Sequence, residues 1–161
     1  MLNLPLQKPK PLKSLLPVCR QATLGSDSPN TPVTDTTGES AEGDVLEIGE
    51  KMFLTQISDM YCNFDRYKDK TIIVEGMYAQ FYSWDGSETA PVVYRNGPGC
   101  CGNDGWGGFL LKYDGEFPNE NDWIRVTGHP ELVTEGYYTN LYLNVASLEV
   151  KAERGTEFVT Q

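Results

Sequence analysis

Apolar residues between positions 45 and 64 recur with the step of a helix. Phe53, Leu54, Ile57, Met60, Tyr61 and Phe64 fall on one face, which predicts an amphipathic helix over 49–63 whose apolar stripe packs on a sheet. Beyond Lys70 the pattern changes to short β-branched and aromatic runs bounded by Gly, Pro, Asn and Asp. Residues 71–78 form the first predicted strand, with Gly76 marking a bulge or a corner. Further strands are predicted over 91–95, 108–113, 122–133 with a bend at Gly128 or Pro130, and 137–151. In the last of these Leu141, Leu143 and Val145 alternate with Tyr142 and Asn144, the period of two that buries one face of a strand. The expected fold is therefore mainly β, a small five-stranded OB-like barrel preceded by one amphipathic helix. An SH3-like barrel or an α+β sandwich fits the same pattern.

Upstream the periodicity stops. From Gln21 to Asp44 the chain is Ser, Thr, Gly, Pro, Asp and Glu with hardly an aliphatic residue. Such a segment cannot bury enough apolar surface to offset backbone ordering at about 1–2 kcal/mol per residue. Residues 1–44 are expected to be a disordered tether and 45–161 the folded domain. Before the tether, Lys8, Lys10 and Lys13 lead into Leu15-Leu16-Pro17-Val18-Cys19, the order of parts in a secretory signal that ends at a lipid-modified cysteine. The signal is degenerate, because Pro5, Pro9, Pro11 and Pro17 break its apolar stretch and Val18 is bulky where a small residue belongs. On this reading the protein is extracytoplasmic and membrane-anchored through Cys19. The alternative is a misassigned start and a cytoplasmic location.

Composition narrows the function. The 161 residues suit one domain, and 13 Lys+Arg against 23 Asp+Glu leave a net charge of −10, which repels polyphosphates and argues against nucleic acid as a partner. The densest candidate chemistry lies between Asn96 and Gly108, where glycines occupy 97, 99, 102, 105, 107 and 108. This stretch is expected to be a loop, wrapped around a ligand or another chain, or else a strand connection pinned by Trp106. Within it, Cys100 and Cys101 are adjacent. Their Cα atoms lie about 3.8 Å apart, too close for an unstrained disulfide between them. In an extended segment one side chain turns inward, while the other can bind a soft metal or join Cys62 or another chain. Cys100, Cys101, Asp104 and Trp106 form the candidate ligand-binding set. Cys100, Cys101, Asp104 and His129 form the candidate metal set, for Zn or Cu, although the paired spacing of structural zinc sites is missing. Two quiet, buried cysteines are the plainer reading. His129, between Gly128 and Pro130, reads as a surface or rim residue. No triad, phosphate loop or paired-carboxylate motif appears, so no catalytic residue is assigned. Tyr78, Phe81, Tyr82, Trp84 and Tyr94 offer a stacking surface or core and rim packing, with Asp85 and Glu88 in the loop between the first two strands.

Four segments together resemble the C-terminal domain of the YcgQ-like permease-subunit family over roughly residues 45–159. They are 67–76 (YKDKTIIVEG), the Cys100-Cys101 pair followed by Asp104, 122–128 (DWIRVTG) and the closing Leu141-Tyr142-Leu143. The resemblance implies an OB-like soluble domain, a permease-like membrane partner, Cys100, Cys101 and Asp104 as the site, and Trp123 and Gly128 as fold markers. The membrane helices that precede the domain in that family are replaced here by the tether. The expected function is a non-catalytic extracytoplasmic ligand-binding or accessory domain. A thiol-redox or metal-dependent enzyme using the cysteine pair and a single-strand nucleic-acid module are the alternatives.

Overall fold

Alternation of apolar and polar residues does produce a β-rich domain, with more strands than the pattern predicts. The computed structural model describes residues 44–82, 88–99, 102–135 and 138–160. Among these it forms β1 (Val45–Ile48), α1 (Phe53–Cys62), a 3-10 turn (Phe64–Arg66), β2 (Thr71–Tyr82), β3 (Thr89–Gly99), β4 (Gly102–Lys112), β5 (Trp123–Glu135) and β6 (Tyr138–Val150). Six strands replace the expected five, because β1 is only four residues long and too short to show a period. The helix begins at Phe53, since Met52 at φ 58° is left-handed and stops it from extending back to Gly49. Of the expected tether 1–44, residues 1–43, with Cys19, lie outside the described residues, and the Asp44 carbonyl accepts from the Thr71 N–H at 3.1 Å. No helix among the described residues is long and apolar enough to cross a membrane.

All six strands join one sheet in the order β1-β2-β3-β4-β6-β5, and β2 also pairs with β5. The long β2 changes neighbours along its length. Residues 71–74 pair with β1 in parallel, 72–77 with β5 antiparallel, and 77–82 with β3 antiparallel. Gly76 sits where β3 departs, and a Cβ there would lie 2.6 Å from the Tyr94 carbonyl oxygen, so only glycine lets the two backbones part this closely. On the far side β4 runs parallel to β6, and β6 pairs antiparallel with β5. The β5–β6 register shifts between Thr127 and Gly128, where Ala146 of β6 is the extra residue, so the bulge lies on β6 opposite the expected bend and not on β5.

The inner face collects Ile72, Val74, Tyr78, Val93, Phe109, Ile124, Leu141 and Leu143. Helix α1 adds Phe53, Ile57 and Met60, as its apolar stripe requires. The tail after β6 folds back along β3, where Asn96 N–H donates to the Glu157 carbonyl and Val159 N–H to the Asn96 carbonyl, both at 2.9 Å. Val159 thereby enters the core.

Candidate functional site

The glycine-rich stretch is a strand hairpin and not a loop. β3 continues to Gly99 and β4 starts at Gly102, with Asn96 opposite Trp106, Gly97 opposite Gly105 and a register shift before Gly99 meets Gly102. The glycines make room for neighbours. A Cβ on Gly97 would run into Leu54 Cδ1, and one on Gly107 would lie 2.7 Å from Leu54 Cδ2, so the hairpin carries α1 on its glycine positions. A Cβ on Gly108 would press on the Val93 carbonyl oxygen of the paired strand.

Strand parity splits the side chains of β2, β3 and β4. Tyr78, Val93, Phe109 and Leu111 join the core, while Met77, Val92 and Leu110 are buried on the other face. On that second face Phe81, Tyr94 and Trp106 gather, all half-buried. Trp106 meets Phe81 edge-on at 4.8 Å and Tyr94 edge-on at 6.4 Å, and Phe81 lies 5.3 Å from Tyr94. Burial, then the charges of Glu157 and Glu120, raise the pKa of the Tyr94 phenol, which keeps it neutral. The expected stacking set therefore divides. Phe81 and Tyr94 are in this cluster, but Tyr78 points inward and stacks on Phe117 at 5.5 Å. Tyr82 is exposed, Glu88 is exposed just before β3, and Trp84 and Asp85 lie outside the described residues.

Of the predicted site residues, Trp106 is in the cluster and Asp104 is two positions before it on β4. Cys100 and Cys101 lie outside the described residues, between the paired Gly99 and Gly102. His129 stands apart. It is exposed on β5 opposite Asn144, with Nδ1 3.4 Å from the Lys70 carbonyl. Asn144 in turn pairs with Lys112, eight positions along β4 from Asp104, or roughly 26 Å of strand. Among the described residues no three His, Cys, Asp or Glu side chains are grouped to hold a metal.

Two features escape the sequence pattern. Arg95, only 2% exposed, fills the split that opens between β2 and β3. Its Nε donates to the Glu75 carbonyl at 2.7 Å and its Nη1 to the Thr156 carbonyl at 3.3 Å, and its guanidinium lies 4.8 Å from the Trp123 ring and 5.2 Å from Phe53. Glu50 pairs with it at 3.4 Å. The amide of Thr156 is the main cause holding the Glu50 carboxyl below its ordinary value, with Arg95 adding to it. A charged residue inside a strand run is the one sequence signal for this arrangement. The second feature is Cys62, the exposed last residue of α1, which is disulfide-bonded.

Comparison with family models matches residues 23–160 to the DUF1980 C-terminal domain. No curated protein and no solved structure matches the chain.

Proposed function

The chain belongs to the DUF1980 C-terminal domain family, and on that premise we propose a non-catalytic accessory module on an OB-like barrel, binding a ligand outside the cytoplasm beside a permease-like membrane partner. Strand connectivity supports the barrel. β2 to β6 pair in the order β2-β3-β4-β6-β5 and β5 pairs back onto β2, as five strands must to make a small Greek-key barrel. β1 and α1 are then additions in front of it. An extracytoplasmic location is supported by the bonded state of Cys62, because disulfides persist in oxidising compartments and are rare in the cytosol. The permease-like partner rests on the family resemblance.

The observation that carries the binding role is the β3–β4 hairpin itself. Its strands are packed on α1 through Gly97 and Gly107, its second face presents the half-buried rings of Tyr94 and Trp106 with Phe81 of β2 against them, and Cys100 and Cys101 follow Gly99 in the sequence. A hairpin with an aromatic face and two adjacent cysteines in its sequence suits a soft cation, Zn or Cu, and the charge of −10 favours any cation over an anion. Thiolates must replace protons on binding, so affinity rises with pH.

The test is a thermal shift of the reduced protein with Zn(II) and with Cu(I), with Mg(II) as the control for charge alone, on wild type, Cys100→Ser and Cys101→Ser. A metal at a hundredfold above Kd adds about 2.7 kcal/mol, enough to raise the melting temperature visibly. Trp106 fluorescence follows the same titration. Equal shifts in wild type and both variants would refute a thiol pocket. Cell fractionation with mass spectrometry of Cys19 tests the membrane half, and full recovery in the cytosol with Cys19 unmodified would overturn it.

A further inference from the structure

Three rings stand on the second face of the sheet, one from each of three successive strands: Phe81 on β2, Tyr94 on β3 and Trp106 on β4. Ala79 and Gly108, the smallest residues of that face, leave room for the rings to converge. Their centroids lie 4.8 to 6.4 Å apart, so one cation can stand within about 6 Å of all three, the range of a cation–π contact. Trp106 meets both partners edge-on, at 89° and 88°. An edge-on contact occupies the face of only one ring of a pair, whereas a stack closes one face of each. All three rings stay half-buried. Among the described residues the cation–π contacts of Arg95, Arg154 and Lys112 go to Phe53, Trp123 and Tyr142, and none goes to these rings.

Two carboxylates flank the cluster. Glu157 is tied beside β3, because the N–H of Asn96, two residues past Tyr94, donates to its carbonyl at 2.9 Å. Glu120 is exposed one residue before Asn121, whose N–H donates to the Tyr78 carbonyl at 2.8 Å, and Tyr78 adjoins Met77, the cross-strand partner of Tyr94. Both carboxylates act on the Tyr94 phenol more strongly than Arg154, the guanidinium that pairs with Glu157 at 2.5 Å. The balance of charge at Tyr94 is therefore negative. Aromatic faces in such a field suit an organic cation. A primary ammonium would leave N–H donors unpaired on a ring surface, whereas a quaternary ammonium has none to satisfy.

We propose that Phe81, Tyr94 and Trp106 form a binding site for a quaternary ammonium group, with Glu120 and Glu157 supplying longer-range attraction. Those two residues repel a phosphate or carboxylate attached to the same ligand, so the class is a free choline-type cation and not a zwitterionic headgroup. The site uses no cysteine and is independent of the soft-metal reading.

Choline is the probe, titrated with the full-length protein while its methyl protons are followed by NMR. Contact with ring faces moves that signal upfield, and a specific site does so saturably. The neutral isostere, in which carbon replaces the nitrogen, controls for apolar contact alone, and phosphocholine tests the carboxylates. Choline is expected to bind about tenfold tighter than either. Trp106→Leu should weaken choline binding by about tenfold, while Tyr94→Phe, which keeps its ring, should stay within about twofold of wild type. Glu120 is exposed, so Glu120→Gln removes charge without disturbing the fold, and it should weaken binding by about threefold at low salt. Absence of a saturable shift in wild type, an isostere or phosphocholine that binds as tightly as choline, or unchanged binding in Trp106→Leu would each overturn the proposal. Unchanged affinity in Glu120→Gln would overturn it even if Trp106→Leu failed to fold.

Discussion

A single methyl group has different consequences at two neighbouring glycines of the hairpin. At Gly107 the added Cβ meets the end of the Leu54 side chain at 2.7 Å, and a leucine methyl can rotate away. At Gly108 it meets the Val93 carbonyl oxygen, which can yield only if the β3–β4 ladder opens. Gly108→Ala is therefore expected to cost about 3 kcal/mol and Gly107→Ala about 1 kcal/mol, as overpacking against a fixed or a movable neighbour does. Urea unfolding measures both. Leu54→Val should relieve Gly107→Ala and leave Gly108→Ala unrelieved. A second residue-scale prediction concerns Asp59. Its carboxylate accepts hydrogen bonds from the Tyr67 hydroxyl and, at 2.7 Å, from Asn63 Nδ2. The Tyr67 bond, then the Asn63 bond, hold its pKa below the ordinary 3.8. A depressed carboxyl stabilises the fold above its unfolded pKa, and that stability is lost as pH falls through the lower folded value. Unfolding midpoints between pH 6 and pH 2 should thus fall less steeply below about pH 4 in Asp59→Asn than in wild type. Parallel curves would show that Asp59 does not carry the effect.

At the scale of elements, the split between β2 and β3 is closed by parts from both ends of the described domain. Arg95 holds the tail through the Thr156 carbonyl, Glu50 accepts the Thr156 N–H at 3.1 Å, and Val159 occupies the core. Arg95→Ala leaves the Glu75 carbonyl without its donor and empties the space between Trp123 and Phe53, and is expected to cost about 3 kcal/mol. Val159→Ala should cost about 2 kcal/mol. Because both hold one tail, the double variant should lose clearly less than the sum, and strict additivity in denaturant unfolding would separate them. This closure also explains what the sequence revealed and what it hid. The alternation of Leu141 and Leu143 with Tyr142 and Asn144 announces β6, and the stripe from Phe53 to Phe64 announces α1. β3 and β4 run past their predicted ends because glycines 97, 105, 107 and 108 have no side chain to register a period, although their backbones pair normally. The tail contributes a single bridge, Asn96 to Phe158, which no local pattern encodes. Trp106 was legible as a candidate residue. Its ring partners were legible only as unsorted aromatics, since strand register, unknown from sequence, decides that Phe81 and Tyr94 share its face while Tyr78 turns inward.

Across the whole molecule the pairing pattern sets which parts can open alone. Strand β2 is bonded to β1, β3 and β5, and its inward residues Ile72, Val74 and Tyr78 are all in the core. Freeing any of its inner amides requires separating two strands and exposing that core, so those amides should exchange with solvent only through global unfolding. β1 is different. It is four residues long, pairs with β2 alone among the strands, and has Val45 53% exposed. Its detachment breaks one short parallel ladder and uncovers chiefly Ile48, so it should exchange through a smaller, local opening. The tail lies between these limits, anchored by Val159 and by two backbone hydrogen bonds to Asn96. Hydrogen exchange with mass spectrometry in increasing sub-denaturing urea resolves the three classes. Peptides covering 72–77 and 124–128 should show the global free energy with the full denaturant slope, the tail a lower energy with a shallower slope, and 45–48 the lowest. If β2 exchanged with the tail's energy and slope, the β2–β5 pairing would not hold the two ends of the sheet together in solution. The domain would then be an open sheet with a loose edge, and the β3–β4 hairpin would lose the support of its far side.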